Sequence, residues 1–174
     1  HMEEDSGKSV HDIDPFNTLV DLNRAGIPLL EIVSEPEIKN GEEAYSYLSE
    51  IRKLVRYLEI SDGNMEEGSL RADLNISVRK KGATKFGTKV EVKNMNSFRN
   101  VQKAIDFEII RQIDLIESGE EIHQETRTYD AAKNITIGLR SKEDAHDYRY
   151  FPEPDLVPVI VPQSYVDSVR ENMP

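Results

Sequence analysis

The chain has 174 residues, a length that suits one domain, and 37% of them are hydrophobic, enough for a modest core. Its net charge of −11 disfavours it as the main grip on a nucleic acid, because phosphate binding needs clustered Lys and Arg, while contact with a nucleic-acid end presented by another domain stays open. Cysteine is absent, which excludes disulfides and thiolate metal sites and fits a cytoplasmic location, and no apolar run approaches the roughly 20 residues that span a membrane.

Residues 1–19 read as polar loop, with Asp14-Pro15 as a turn signal. Within them Glu3-Glu4-Asp5 is either a disordered acidic tail or a group of metal-binding carboxylates. Strand signals flank Asn23–Gly26, and Leu29-Leu30-Glu31-Ile32-Val33 reads as a buried strand. An ionised Glu31 inside it is costly unless paired, hydrogen-bonded or bound to a cation. A structural ion pair and a metal ligand both meet that condition.

Asn40 is placed to cap a helix, with Glu43 as its reciprocal partner, and Ala44, Leu48, Ile51, Leu54, Val55 and Leu58 form its apolar face. Ser61–Asn64 ends it. Leu70, Ala72, Leu74, Ile76 and Val78 then alternate with polar residues, and after a polar loop from Lys80 to Gly87 a second alternating strand runs Lys89–Lys93. The two strands predict an antiparallel hairpin whose polar face carries Arg71, Asp73, Asn75, Lys89, Glu91 and Lys93. Phe98, Val101, Ile105, Ile109, Ile113 and Ile116 predict a second amphipathic helix, stopped at Ser118-Gly119. Strands are expected over 125–129, 135–140 and 156–161. The loop Asp147–Asp155 holds Tyr148, Arg149, Tyr150 and Phe151, which either stack on a base or pack the loop. Residues 163–174 read as the first turns of a further helix. Hairpins with separate helices predict an α+β fold with a mainly antiparallel sheet.

Candidate chemistry rests on carboxylates: Glu3-Glu4-Asp5, Glu31, Glu66-Glu67 and the pair Asp73/Glu91. A hard cation such as Mg2+ keeps several waters and needs only one or two of them. Arg71, Lys89 and Lys93 on the same polar face suit phosphate oxygens. The same face is equally what a solvated sheet surface with cross-strand ion pairs looks like. Glu66-Glu67 beside Gly68 also reads as a plain acidic turn. His1, His11, His123 and His146 lie far apart and show no zinc spacing.

Five stretches carry a resemblance: His1-Met-Glu-Glu-Asp-Ser-Gly-Lys-Ser9, Val20–Pro36 with its Leu-Asn-Arg-Ala-Gly-Ile-Pro-Leu-Leu-Glu-Ile-Val core, Gly63–Ser77, Phe86–Phe98 and Asp147–Asp155. In this order they closely resemble the GatB family, the B-subunits of the aspartyl/glutamyl-tRNA amidotransferases. The resemblance implies a cradle-shaped catalytic domain on an antiparallel sheet like that of glutamine synthetase, with residues 1–162 inside it and 163–174 opening the helical region that follows. It implies ATP and Mg2+ as cofactors, and activation of the side-chain carboxylate of Glu-tRNA(Gln) or Asp-tRNA(Asn) as an acyl phosphate. Ammonia then arrives from a partner amidase, GatA, a small third protein, GatC, clamps the pair, and no membrane is involved. By position, Glu4 and Glu31 match family carboxylates that hold Mg2+. Glu67, Asp73 and Glu91 as further metal or water ligands, and Arg71, Lys89 and Lys93 as phosphate contacts, are inferred from the hairpin face instead. The family's first segment, with a Glu-x-His ligand motif, and its tRNA-gripping domains are not found in these residues. The chain is therefore expected to be a fragment that is inactive alone. A docking module without chemistry and a free-standing carboxylate–amine ligase are the alternatives.

Overall fold

A computed structural model describes residues 1–10, 13–14, 16–139 and 157–173. In chain order these form β1 (Met2–Glu4), β2 (Lys8–Val10), β3 (Leu19–Asp21), β4 (Pro28–Leu30), α1 (Gly41–Tyr57), β5 (Leu74–Ile76), β6 (Val90–Lys93), α2 (Phe98–Ser118), β7 (Thr126–Asp130), β8 (Ile135–Gly138) and α3 (Gln163–Glu171). The fold is α+β, as expected. Two compact units divide it, His1–Leu139 and Arg140–Pro174. In the second unit α3 occupies the expected helical stretch, whereas residues 157–161 form no strand. The aromatic loop 147–155 lies outside the described residues. No helix among the described residues is long and apolar enough to cross a membrane.

The first unit is built on a four-stranded sheet of order β5-β6-β7-β8. β5 and β6 make the expected antiparallel hairpin, with Leu74 opposite Val92 and Ile76 opposite Val90. The pairing is shorter than the alternation suggested, but burial still alternates from Leu70 to Ile76. The pairing is mainly antiparallel, as expected, with one exception: β6 and β7 run parallel, joined by the crossover through α2. A parallel neighbour requires such a long connection, and α2 supplies it. β7 and β8 close the sheet as an antiparallel hairpin, whose turn is held by Asp130, which accepts from the backbone of Ala132 and Lys133. Two short antiparallel ribbons, β1–β4 and β2–β3, precede the sheet.

The caps at Asn40 and Gly119 are those expected. Asn40 accepts from the Glu43 amide at 2.8 Å, and the Glu43 carboxylate reaches back to the amide of Lys39 at 2.7 Å. Ser97 caps α2, and Gly119 ends it in the left-handed conformation at φ 82°. α1 packs on α2, with Gly41 against the Gln102 carbonyl and Tyr45 edge-on to Phe98 at 6.1 Å. The core joins Ala44, Ile76, Val90, Val92, Met95, Val101, Ala104, Ile105 and Tyr129.

The buried stripe of α2 differs from the apolar one read in sequence. It runs through Val101, Ala104, Ile105, Glu108 and Gln112, while Ile113 and Ile116 are exposed. Glu108 is fully buried. Its carboxylate accepts from Arg111, from Gln112 at 3.1 Å and from Thr136 of β8 at 2.8 Å, and Arg127 of β7 approaches to 3.6 Å. Arg127 also binds the Thr136 carbonyl at 2.9 Å and Glu125 at 2.7 Å. Gln112 adds a bond to the Ile76 carbonyl of β5 at 3.2 Å. Polar residues on a buried helix face thus tie α2 to both edges of the sheet.

Burial alone would raise the Glu108 pKa. The hydrogen bonds from Arg111, Gln112 and Thr136 and the Arg111 charge outweigh it and hold the carboxyl below its ordinary 4.5. A depressed carboxylate pKa stabilises the fold above the unfolded value, and that stability is lost as pH falls through the folded one. Glu108→Gln should therefore lower stability at neutral pH by about 3 kcal/mol, because Arg111 and Arg127 lose a buried partner. It should also make unfolding less steeply dependent on pH below 4.5. Denaturant midpoints measured across pH check both effects, and an unchanged midpoint at pH 7 would contradict them.

Candidate functional site

The β1–β4 ribbon brings the N-terminal acidic group together with Glu31. Hydrogen bonds His1 N–Glu31 O (2.9 Å) and Glu31 N–His1 O (2.8 Å) extend the ladder past one end of the strands, and Asp5 N–Ile27 O (2.8 Å) extends it past the other. Side chains alternate along such a ladder. His1, Glu3, Asp5 and Glu31 therefore share one face, and Met2, Glu4 and Leu30 the other. The His1 imidazole lies 3.2 Å from Glu3, and single donor atoms of His1, Glu3 and Glu31 all fall within 4.8 Å of one another. Glu4 is turned towards Gly26, where its carboxylate oxygen would stand 3.1 Å from an added Cβ.

Two expectations change. Glu31 is not inside a buried strand: it follows β4 and is exposed, as are Ile32 and Val33. Its charge needs no desolvation to be explained, because this end of the ribbon is exposed among the described residues. Glu3-Glu4-Asp5 is not a loose tail either, since Met2–Glu4 is paired to Pro28–Leu30. Sequence reasoning misses the histidine of the group. The signal available was the period-two spacing of His1, Glu3 and Asp5, which only a strand turns into proximity.

Next along this face, Asp5 Oδ2 stands 2.9 Å from Arg24 Nη2 in an ion pair and accepts a hydrogen bond from Arg71 at 3.1 Å. Arg24 also donates to the Gly68 carbonyl at 3.2 Å. Burial would raise the Asp5 pKa, but the charges of Arg71 and Arg24 and the hydrogen bonds from Arg71 and Ser6 overcome it and hold it below 3.8. Arg71 is thus part of the ribbon cluster.

The hairpin face proper is cross-strand ion pairs. Lys93 meets Asp73 at 3.0 Å and Glu91 at 3.2 Å, and Thr126 donates to Glu91 at 3.0 Å. Burial would lower the Lys93 pKa, but Asp73 and Glu91 outweigh it and raise the amine above 10.5. Lys89 is exposed and has no ion pair among the described residues. Glu67 is exposed in the turn closed by Gly68 N–Met65 O at 3.2 Å. Asp73, Glu91 and Glu67 do not converge with Glu31 in any group of three possible ligands among the described residues. Two open concavities of about 630 and 660 Å³ run beside α1, both lined by Tyr45, Arg52 and Phe98. Of the candidate carboxylates only Glu66 borders one of them.

Residues 1–167 match the family described as the GatB/GatE catalytic domain. The chain belongs to this family. Over all 174 of its residues it is 56% identical to the aspartyl/glutamyl-tRNA(Asn/Gln) amidotransferase B-subunit of Pelagibacter ubique, covering 35% of that protein. Identity to the proteins of the same name from Pelodictyon phaeoclathratiforme and Pseudomonas entomophila is 57% and 59%, again over the whole chain and 36% of each relative. The chain thus spans about a third of the length of these relatives.

In this GatB/GatE catalytic domain the two polar faces differ in charge. On the hairpin, the Lys93 amine serves two carboxylates, Asp73 and Glu91, while Lys89 stands apart without an ion pair among the described residues. On the ribbon, two guanidinium groups share one carboxylate beside the His1–Glu3–Glu31 group. The hairpin arrangement has a direct consequence. Asp73→Asn should let the Lys93 amine fall back towards 10.5, because the first of its two supporting carboxylates is gone. A nitrogen-detected NMR titration of the lysine side chain reads this, and an unmoved midpoint would mean that Asp73 does not hold Lys93.

Proposed function

We propose that this chain is catalytic sequence from the GatB component of a tRNA-dependent amidotransferase, which uses ATP and Mg2+ to activate the side-chain carboxylate of Glu-tRNA(Gln) or Asp-tRNA(Asn) for amidation. The family membership and the activity for which the relatives are named support the role. One structural observation supports the chemistry: His1, Glu3 and Glu31 offer donor atoms within 4.8 Å of one another on an exposed face. Two carboxylates and an imidazole suit a small dication that keeps several waters. When bound, Mg2+ would supply charge stabilisation to phosphate oxygens.

Glu31 and Glu3 would hold that ion, with the His1 imidazole orienting Glu3 from 3.2 Å. This reading prefers Glu3 over Glu4 as the partner of Glu31, because strand alternation turns Glu4 to the opposite face. Asp73 and Glu91, engaged by Lys93, would act as structural carboxylates. The ribbon and sheet would be part of a glutamine-synthetase-like cradle, working in the cytoplasm with the amidase GatA, the small clamp GatC and the acceptor end of the tRNA. Activation is carboxylate plus ATP giving acyl phosphate plus ADP, and ammonia then displaces phosphate. The acidic chain leaves the main tRNA grip to other domains.

The test uses the complete assembly, with glutamine hydrolysis and ATP-dependent activation of Glu-tRNA recorded separately. Glu31→Gln should cut activation about 100-fold or more while hydrolysis and assembly persist. Glu3→Gln should behave like it, and Glu4→Gln should stay near the parent rate. Activation that survives in Glu31→Gln would sink the proposal.

A further inference from the structure

The geometry points to Arg24 and Arg71, gathered by Asp5, as a binding site for the polyphosphate of a nucleotide, set beside the His1–Glu3–Glu31 group. The inference deepens the proposed function and rests on its claim that ATP binds here. Four features of the cluster carry it.

Two guanidinium groups converge on one oxygen, Asp5 Oδ2, at 2.9 and 3.1 Å. One negative charge faces two positive ones, so a positive charge remains in a chain whose net charge is −11. The carboxylate lies behind and the cations in front: the Asp5 side chain is 12% exposed, and those of Arg24 and Arg71 are 44% and 54% exposed. A guanidinium presents five N–H donors in a planar fork. Arg24 spends Nη2 on Asp5 and the Gly68 carbonyl, and Arg71 spends Nη2 on Asp5. The Nε and Nη1 groups of both have no acceptor among the described residues, and such paired forks match phosphate oxygens.

The position of Arg24 is built. Gly68 adopts φ +79°, and a Cβ there would come within 3.1 Å of Arg24 Nη1. The glycine lets the guanidinium lie against the loop backbone and leaves its outer edge free. Finally, Asp5, which gathers the arginine pair, follows Glu3 by two residues on one ladder face, about 7 Å along the strand. A cation-holding group and an anion-holding group at that spacing suit a ligand that carries both, a nucleotide polyphosphate with its divalent ion. Lys93 of the hairpin does not offer this, because it is consumed by two carboxylates.

A triad that merely fastens the ribbon to the loop at Gly68 would show the same ion pairs, so the test reads ligand binding. In the full-length protein within its complete assembly, arginine labelling by phenylglyoxal is mapped with and without inorganic tripolyphosphate. ATP binding is measured on the same samples. Tripolyphosphate should slow labelling of Arg24 and Arg71 several-fold, where sodium chloride of equal ionic strength does not. Arg24→Gln and Arg71→Gln should each weaken ATP about ten- to hundredfold, and tripolyphosphate should no longer compete in them. If the parent assembly binds ATP while both arginines label at an unchanged rate, this inference is overturned and the proposed function stands. If the parent assembly binds no ATP, the proposed function fails and the inference falls with it.

Discussion

A carboxylate that water never reaches holds this domain together. Glu108 belongs to the helix between β6 and β7, and its ligands come from that helix and from β7 and β8. A parallel strand pair needs a helix laid back across the sheet, and the Glu108 cluster pins that helix in register. Gln112, one turn on, reaches the carbonyl of Ile76 on the first strand. Breaking the cluster would leave Arg111 and Arg127 to share Glu125 as their carboxylate partner, which costs more than the loss of an ordinary surface pair. With α2 fixed against one side of the sheet, Val90 and Val92 must point into the core and Glu91 and Lys93 away from it. The polar hairpin face is therefore a consequence of the buried one.

That face and the ribbon face look alike in composition and differ in charge arithmetic. The hairpin closes its charges on itself through Lys93. The ribbon leaves charges of both signs unmatched next to each other, with carboxylates at His1–Glu3–Glu31 and guanidinium groups at Asp5. Unmatched charge at a surface is what a ligand can use, and adjacent unmatched charges of opposite sign favour a ligand that is itself a metal–polyanion pair. This contrast is why we propose the ribbon, rather than the well-formed sheet, as the place for chemistry.

Local signals in the sequence transferred well. Asn40 and Gly119 bound the helices as capping chemistry requires, and the alternation from Leu70 to Ile76 marks the buried side even where no partner strand is paired. Long-range features did not transfer. The isoleucines of α2 suggest a buried stripe that the structure rotates onto Glu108 and Gln112, because polar residues that find hydrogen-bond partners inside are indistinguishable from surface ones in sequence. The parallel β6–β7 pairing leaves no mark on either strand. The ribbon strands are three residues long, too short for periodicity, so the tail-like appearance of Glu3-Glu4-Asp5 and the apolar look of Leu29–Val33 both mislead. Glu31 stands out in sequence for a burial it does not have, yet it does meet two other possible ligands. The resemblance supplies the family, while the choice between Glu3 and Glu4 comes from strand alternation.

The central claim is that the ribbon face, and not the hairpin face, holds the cation used with ATP. The most direct measurement is anomalous diffraction from crystals of the complete assembly grown with ATP and Mn2+ in place of Mg2+. The account predicts a manganese peak in contact with Glu31 and Glu3. A peak over Asp73 and Glu91, or one that leaves Glu31 without a metal, would contradict it.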